Sequence, residues 1–205
     1  MSSEVEFMNE AKSTKKRLGN ATTTVVAILL LSSGAYMLIT AFFPFASSNF
    51  IDKNNNSTTQ KLDKTKDSIT ENRLYIPKID VNLPYATGNE TVMDTGAWWR
   101  SPSSGNPEDG GNFVLSAHRF TMGWTPGETA RRSPFYNIDK LDIGDTITVD
   151  YEGNRYTYTI DKKYSVAPTA IEIEAPTEDD RLTLYSCGLG GANDKREVII
   201  AKLST

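Results

Sequence analysis

From Ala21 to Ala46 the chain runs for 26 residues without a charged side chain, ATTTVVAILLLSSGAYMLITAFFPFA. Crossing the hydrocarbon core of a bilayer as a helix takes about 20 apolar residues. This run has no polar face, so a soluble core would cover only one side of it. Polar residues 1–20 precede it, with Glu4, Glu6 and Glu10 first and Lys12, Lys15, Lys16 and Arg17 clustered beside the run. Basic flanks stay on the cytoplasmic side. Residues 1–20 therefore read as a cytoplasmic N-terminus and 21–46 as a transmembrane anchor. The rest lies outside the plasma membrane in a single-pass arrangement. A cleaved signal peptide has an apolar core of about 7–15 residues, shorter than this one, although Ala46-Ser47-Ser48 supplies small residues suited to cleavage.

Residues 47–72, SSNFIDKNNNSTTQKLDKTKDSITEN, are rich in Asn, Ser, Thr and Lys and sparse in apolar residues. Such a stretch cannot bury enough surface to fold alone, and it reads as a flexible stalk. Residues 73–205 form the folded domain. Thr146–Tyr151 and Tyr156–Asp161 alternate as strands do, and Glu152-Gly153-Asn154-Arg155 between them reads as a hairpin turn. Three further strand candidates are Asn112–Ala117, ending at His118; Leu182–Ser186, ending at Cys187; and Glu197–Leu203. Leu74–Ile76 and Val81–Tyr85 read as short opening strands, while helical signal is confined to a turn or two at Thr91–Trp98 and Pro134–Leu141. Many short strands with turn signals point to a mainly β sandwich or barrel.

The chain has one Cys and one His. No intramolecular disulfide can form, and a Cys/His zinc cluster lacks ligands. The net charge of −4 argues against non-specific nucleic-acid binding. Cys187 and His118 each sit at the end of a strand, and Arg196 opens the next strand after a loop with Gly188, Gly190 and Gly191. Strand ends fix side-chain directions and leave loops free to admit substrate. A thiol nucleophile needs a neighbouring base or cation to become a thiolate. Histidine titrates in the range needed to protonate a leaving amine, and arginine can donate to a developing oxyanion. One of each suffices for acyl transfer. The bland alternative is a buried, inert Cys acting as a small hydrophobe. An unpaired thiol in an oxidising exterior calls for more explanation than that.

The local sequences go further. LTLYSC at 182–187, followed by Arg196, resembles the sortase signature of a TLxTC strand end with a downstream Arg. GNFVLSAHR at 111–119 is similar to the sortase strand that ends in its His, and FYNIDKL at 135–141 with Gly144-Asp145 is similar to the stretch between them. The resemblance covers residues 73–205. It implies a closed eight-stranded β-barrel with short helices, preceded here by one transmembrane helix. It also implies a cysteine transpeptidase with Cys187 as nucleophile, His118 as acid/base and Arg196 as hydrogen-bond donor to the oxyanion or substrate. Such enzymes cleave an LPxTG-type sorting motif of secreted proteins between Thr and Gly through a thioester. They then pass the acyl group to an amine, either a peptidoglycan precursor or a pilin lysine. Ser186 stands where Thr usually precedes the Cys, and Ala117 where Gly often precedes the His. Both flank the pair and are carried as substrate-binding positions. No Asp-Pro-aromatic lid motif precedes the domain and no second apolar span follows it, which favours a single-anchor class.

Other features divide two ways. Trp98-Trp99 and Trp124 suit either a substrate groove or, preferably, packing at the barrel rim. Glu108, Asp109, Glu172, Glu174 and Glu178-Asp179-Asp180 offer oxygens of the kind Ca²⁺ takes. Their spacing matches no defined calcium loop, so no cofactor or metal is expected. Arg131-Arg132 reads as a surface pair, with anionic wall polymer or lipid as the alternative partner. A peptidoglycan L,D-transpeptidase would hold His and Cys in one compact motif, whereas here they lie 69 residues apart. A non-catalytic tethered β-domain for adhesion or scaffolding is the competing function of a different class, and it requires Cys187 to be buried.

Overall fold

The structure, a computed structural model, describes residues 2–47, 57–65 and 69–204. Its strands are β1 (Arg73–Ile76), β2 (Val81–Ala86), β3 (Ala97–Trp99), β4 (Gly105–Asn106), β5 (Gly110–Ser116), β6 (Thr146–Tyr151), β7 (Asn154–Val166), β8 (Arg181–Gly188) and β9 (Gly191–Leu203). Eight of them form a ring in the order β3-β2-β1-β6-β7-β9-β8-β5, which shuts where β5 pairs back onto β3. The two-residue β4 lies outside the ring against β5. Closure gives each of the eight ring strands a neighbour on both sides. The folded domain is thus mainly β, a closed eight-stranded barrel with short helices, and one long apolar helix precedes it.

Alternation along the strands separates two apolar layers. Leu74, Ile76, Phe113, Leu115, Ile147, Leu182, Leu184, Ile199 and Ala201 fill the barrel interior. Val114, Tyr185, Val198 and Ile200 point outward from β5, β8 and β9 and are covered by Ile173. The β6–β7 hairpin turns at Glu152 and Gly153, both left-handed (φ +46° and +82°) between the Tyr151–Asn154 pair. Two such residues in succession match the right-handed twist of the strands, and Gly153 adopts that backbone without strain.

Several elements exceed the sequence expectation. β7 and β9 extend well beyond their alternating cores, across a bulge between Ile160 and Lys162 and through the polar stretch 191–196. Pairing with neighbours holds these residues where local pattern would not. The helical turn expected at Thr91–Trp98 covers only Glu90–Asp94, and Ala97–Trp99 is strand β3 because it bridges β2 and β5. The unexpected helix α3 (Pro126–Arg131) is capped by Thr125, whose hydroxyl accepts from the Glu128 N–H at 3.1 Å, with Pro126 in its first turn.

The apolar run lies in helix α1 (Ser2–Ser47), which is continuous with the polar residues before it. α1 packs on α3, with Thr40 and Pro44 buried on the contact side. The stretch expected to be a flexible stalk contains helix α2 (Ser57–Lys64), seated on the barrel. Asp80, in the left-handed region at φ +51°, accepts from the Ser57 hydroxyl and from both the N–H and hydroxyl of Thr58. Arg155 donates to the Leu62 carbonyl and the Thr65 hydroxyl at 3.0 Å each. These partners lie far along the chain, so composition alone hid the docking. The rest of that stretch, 48–56 and 66–68, lies outside the described residues.

Candidate active site

β5 and β8 run parallel with Ser116 beside Tyr185, and β8 and β9 run antiparallel with Cys187 opposite Arg196. Side chains two residues apart share a face. His118 follows Ser116 by two residues and Cys187 follows Tyr185 by two, so both continue the outward face of adjacent strands. Neighbouring strands are about 4.8 Å apart. The ring order therefore brings His118, Cys187 and Arg196 to one end of three consecutive strands. All three line a cleft of about 620 Å³ on the outer barrel face.

Cys187 is a free, half-buried thiol. Among the described residues neither nitrogen of the His118 ring has a hydrogen-bond partner, so the imidazole faces the cleft uncommitted. The Arg196 side chain is braced: its Nη1 donates to the Ala192 and Asp194 carbonyls at 3.0 Å each. Its Nε and Nη2 make no hydrogen bond among the described residues, which leaves two donor nitrogens uncommitted on the residue paired across the strands with Cys187. The Asp194 carboxylate accepts from the Gly190 and Lys195 N–H groups, and these hold it below the usual carboxylate range. A Cβ at Gly188 would push that carboxylate aside from its two N–H donors.

The opposite wall is the turn Ile171–Glu174. The Glu174 carboxylate accepts from Arg100 Nε at 2.8 Å, from the Ser101 hydroxyl at 3.2 Å and from the Tyr185 hydroxyl. Asn112 Nδ2 donates to the Ile173 and Ala175 carbonyls. Stapled this way, the turn leaves Ile171 81% exposed at the cleft edge. Arg100 also stacks on Trp98, 3.8 Å from the ring centroid. Trp98 therefore lines the cleft, Trp99 packs edge-on against Phe113 and Tyr151 in the interior, and Trp124 projects into open space. Glu174 is thus committed to Arg100 and Tyr185. Among the described residues no three His, Cys, Asp or Glu side chains converge as a metal site would require.

Two flanking positions separate. Ala117 is 2% exposed, packed in the interior at the cleft base. Ser186 faces inward with Leu182 and Leu184; it is buried, does not line the cleft, and donates to its neighbour's carbonyl at 3.2 Å. Sequence reasoning assigned no role to Arg119. It is 4% exposed behind His118, with Nη2 bonded to Asp139 at 2.8 Å and no partner for Nε or Nη1. Its only sequence cue was adjacency to the single His.

Burial pushes the His118 imidazole below its ordinary pKa; the Asp94 charge opposes this and Arg132 adds to it. The unfolded ring binds its proton near 6.5 and the folded ring binds it less well. Protonation below that pH therefore favours unfolding, so the stability associated with neutral His118 is complete above 6.5 and lost on acidification. Relative to His118→Gln, which does not titrate, the wild type should lose melting temperature between about pH 7.5 and about pH 5. Parallel melting curves for the two would show an imidazole as well solvated folded as unfolded.

A sortase domain model matches residues 74–204. The chain belongs to the sortase family. It is 34% identical over 102 residues to sortase SrtE1 of Streptomyces coelicolor, covering 46% of this chain and 26% of that protein. It is 27% identical over 131 residues to sortase A of Listeria monocytogenes, covering 63% of this chain and 54% of that one. The chain thus spans about a quarter and about half of these two relatives. Among solved sortases, the L. monocytogenes sortase A structure superposes with a TM-score of 0.57 at 24% identity over 67% of this chain and 89% of that one. The S. coelicolor sortase E1 structure, with a tripeptide in its active site, superposes with a TM-score of 0.54 at 23% identity over 66% and 88%. The barrel is therefore a sortase barrel, and its cleft holds the chain's one Cys and one His.

Proposed function

We propose that this sortase is a membrane-anchored cysteine transpeptidase acting on an LPxTG-type sorting motif of secreted proteins. One observation carries the reading: the chain's single thiol and single imidazole share a cleft with an arginine that has two uncommitted donors. In the first half-reaction His118 takes the thiol proton and the Cys187 sulfur attacks the Thr carbonyl carbon. The Thr–Gly C–N bond then breaks and His118 returns the proton to the leaving amine. Arg196 donates from Nε or Nη2 to the oxygen that gains charge. In the second half an amine gives a proton to His118, its nitrogen attacks the thioester carbonyl, and Cys187 leaves and takes the proton back. The acceptor is an amine of a peptidoglycan precursor or of a pilin lysine. A thioester retains enough acyl-transfer potential for that amine to compete with water.

The long apolar helix serves as the anchor: Ala21–Ser47 is long and apolar enough to cross a membrane. With the basic cluster on its N-terminal flank, residues 1–20 stay in the cytoplasm and the barrel lies outside the plasma membrane. The adhesion reading required a buried thiol, and no observation favours it, since Cys187 lines the cleft.

A peptide library incubated with the full chain, with and without an added amine, tests the proposal by mass analysis. Cleavage after Thr in LPxTG-like members, with products carrying the amine, is the expected result. Products ending only in free carboxylates would reduce the enzyme to a hydrolase, and no cleavage would remove the reading.

A further inference from the structure

The loop that leaves the His118 end of β5 carries Phe120, Met122 and Trp124 at every second position, 40%, 47% and 87% exposed. Phe120 borders the cleft, whereas Met122 and Trp124 lie outside it. Most of the loop's backbone N–H groups are nevertheless paired within the protein. Thr121 N–H donates to the Ser133 hydroxyl at 2.9 Å, Gly123 N–H to the Thr129 hydroxyl at 3.0 Å and Trp124 N–H to the Glu128 carboxylate at 2.9 Å. The Trp124 carbonyl accepts from the Tyr36 hydroxyl of α1 at 2.8 Å. Paired in this way, the loop can enter a lipid surface, where hydrocarbon offers backbone groups no partners.

We propose that the loop Phe120–Trp124 seats in the outer face of the lipid bilayer beside α1, with Trp124 at the boundary between headgroups and hydrocarbon. The proposal rests on the reading of α1 as a membrane span. Continuity with that helix identifies lipid as the occupant. A hydrocarbon core about 30 Å thick takes about 20 helical residues at 1.5 Å each. Counted from Ala21, where the apolar run begins, those residues end at Thr40, one helical turn beyond Tyr36, the residue bonded to Trp124. Tyr and Trp concentrate at this depth, where an apolar ring meets a polar edge. Arg131, exposed at the end of α3, lines the groove beside Pro44, two turns further out along α1. That level is the headgroup layer, where a cation meets anionic lipid. The loop starts two residues after His118, so a seated loop holds the cleft mouth at the membrane surface.

Tryptophan emission tests this in the full chain reconstituted into phosphatidylcholine/phosphatidylglycerol vesicles. The indoles are Trp98, Trp99 and Trp124, none of them in α1, so emission reports on the barrel domain alone. Lipids brominated at the 6,7 positions should quench about a third of the wild-type emission, the share of one indole in three, and essentially none in Trp124→Tyr. The exposure of Trp124 makes that variant safe to fold, which its melting temperature checks. Equal quenching in both proteins, or none in either, overturns the proposal. A second copy or a protein partner over the loop would blue-shift Trp124 without making it sensitive to bromine, which also overturns it. Flotation of the vesicles separates the premises. A chain that fails to float overturns the span and the docking together, and one that floats with unquenched Trp124 overturns the docking alone.

Discussion

Cys187→Ala should reduce both cleavage and amine transfer to the uncatalysed background. No second thiol exists in the chain to take over, and the acyl group must be carried by the enzyme between the two halves of the reaction. Removal of a covalent nucleophile costs on the order of 10⁶-fold in turnover where it has been measured in a protease. The substitution should cost little stability, because Cys187 is half-buried at a cleft rather than packed in the barrel interior. Equal melting temperatures with lost turnover would therefore locate the effect in chemistry. A companion measurement addresses the thiol directly: in the folded wild type a small thiosulfonate should modify Cys187 at a rate that does not depend on unfolding. Protection until the protein denatures would mean a sequestered thiol and would defeat the catalytic assignment.

Arg196→Ala should lower turnover by about 10²–10³-fold, the usual cost of losing one preorganised oxyanion donor, with a much smaller change in the Michaelis constant. The side chain is braced through Nη1 on the Ala192 and Asp194 carbonyls, so Nε and Nη2 are presented without further ordering. Arg196→Lys keeps the charge and loses the fork. A single ammonium cannot both hold the loop carbonyls and reach the substrate, so lysine should restore only a small part of the loss. Full rescue by lysine would reduce the role to a nearby positive charge, and full activity in the alanine variant would remove Arg196 from the mechanism.

The parts of the fold legible in the sequence are those that local pattern controls. Thr146–Tyr151 alternates, pairs as expected with the strand after Glu152-Gly153, and occupies the residues anticipated. The α3 start also carries a local signature, Thr125 as cap with Pro126 in the first turn and Glu128 three residues on, but six residues are too few for a helical period to show. By contrast, Ala97–Trp99 is too short to show an alternating pattern, although its two tryptophans favour extended backbone. Those residues extend because β2 and β5 lie on either side of them. Helix α2 likewise depends on Asp80 and Arg155, which no window over residues 57–64 contains.

For the site, the sequence by itself determined the candidates: one Cys, one His, an Arg nearby, each at a strand end, behind an apolar run of membrane-spanning length. Which of them meet was decided only by the tertiary structure. The parallel pairing of β5 with β8 sets His118 beside Cys187 across 69 residues of chain, and its register follows from closing the whole ring of strands. The same closure turned Ser186 inward while Cys187 faces the cleft, one residue apart on a strand whose side chains alternate. Burial of Arg119 and the contact of Trp124 with Tyr36 are further products of long-range packing. Local propensity acts over a few residues, and pairing register is a property of the assembled barrel.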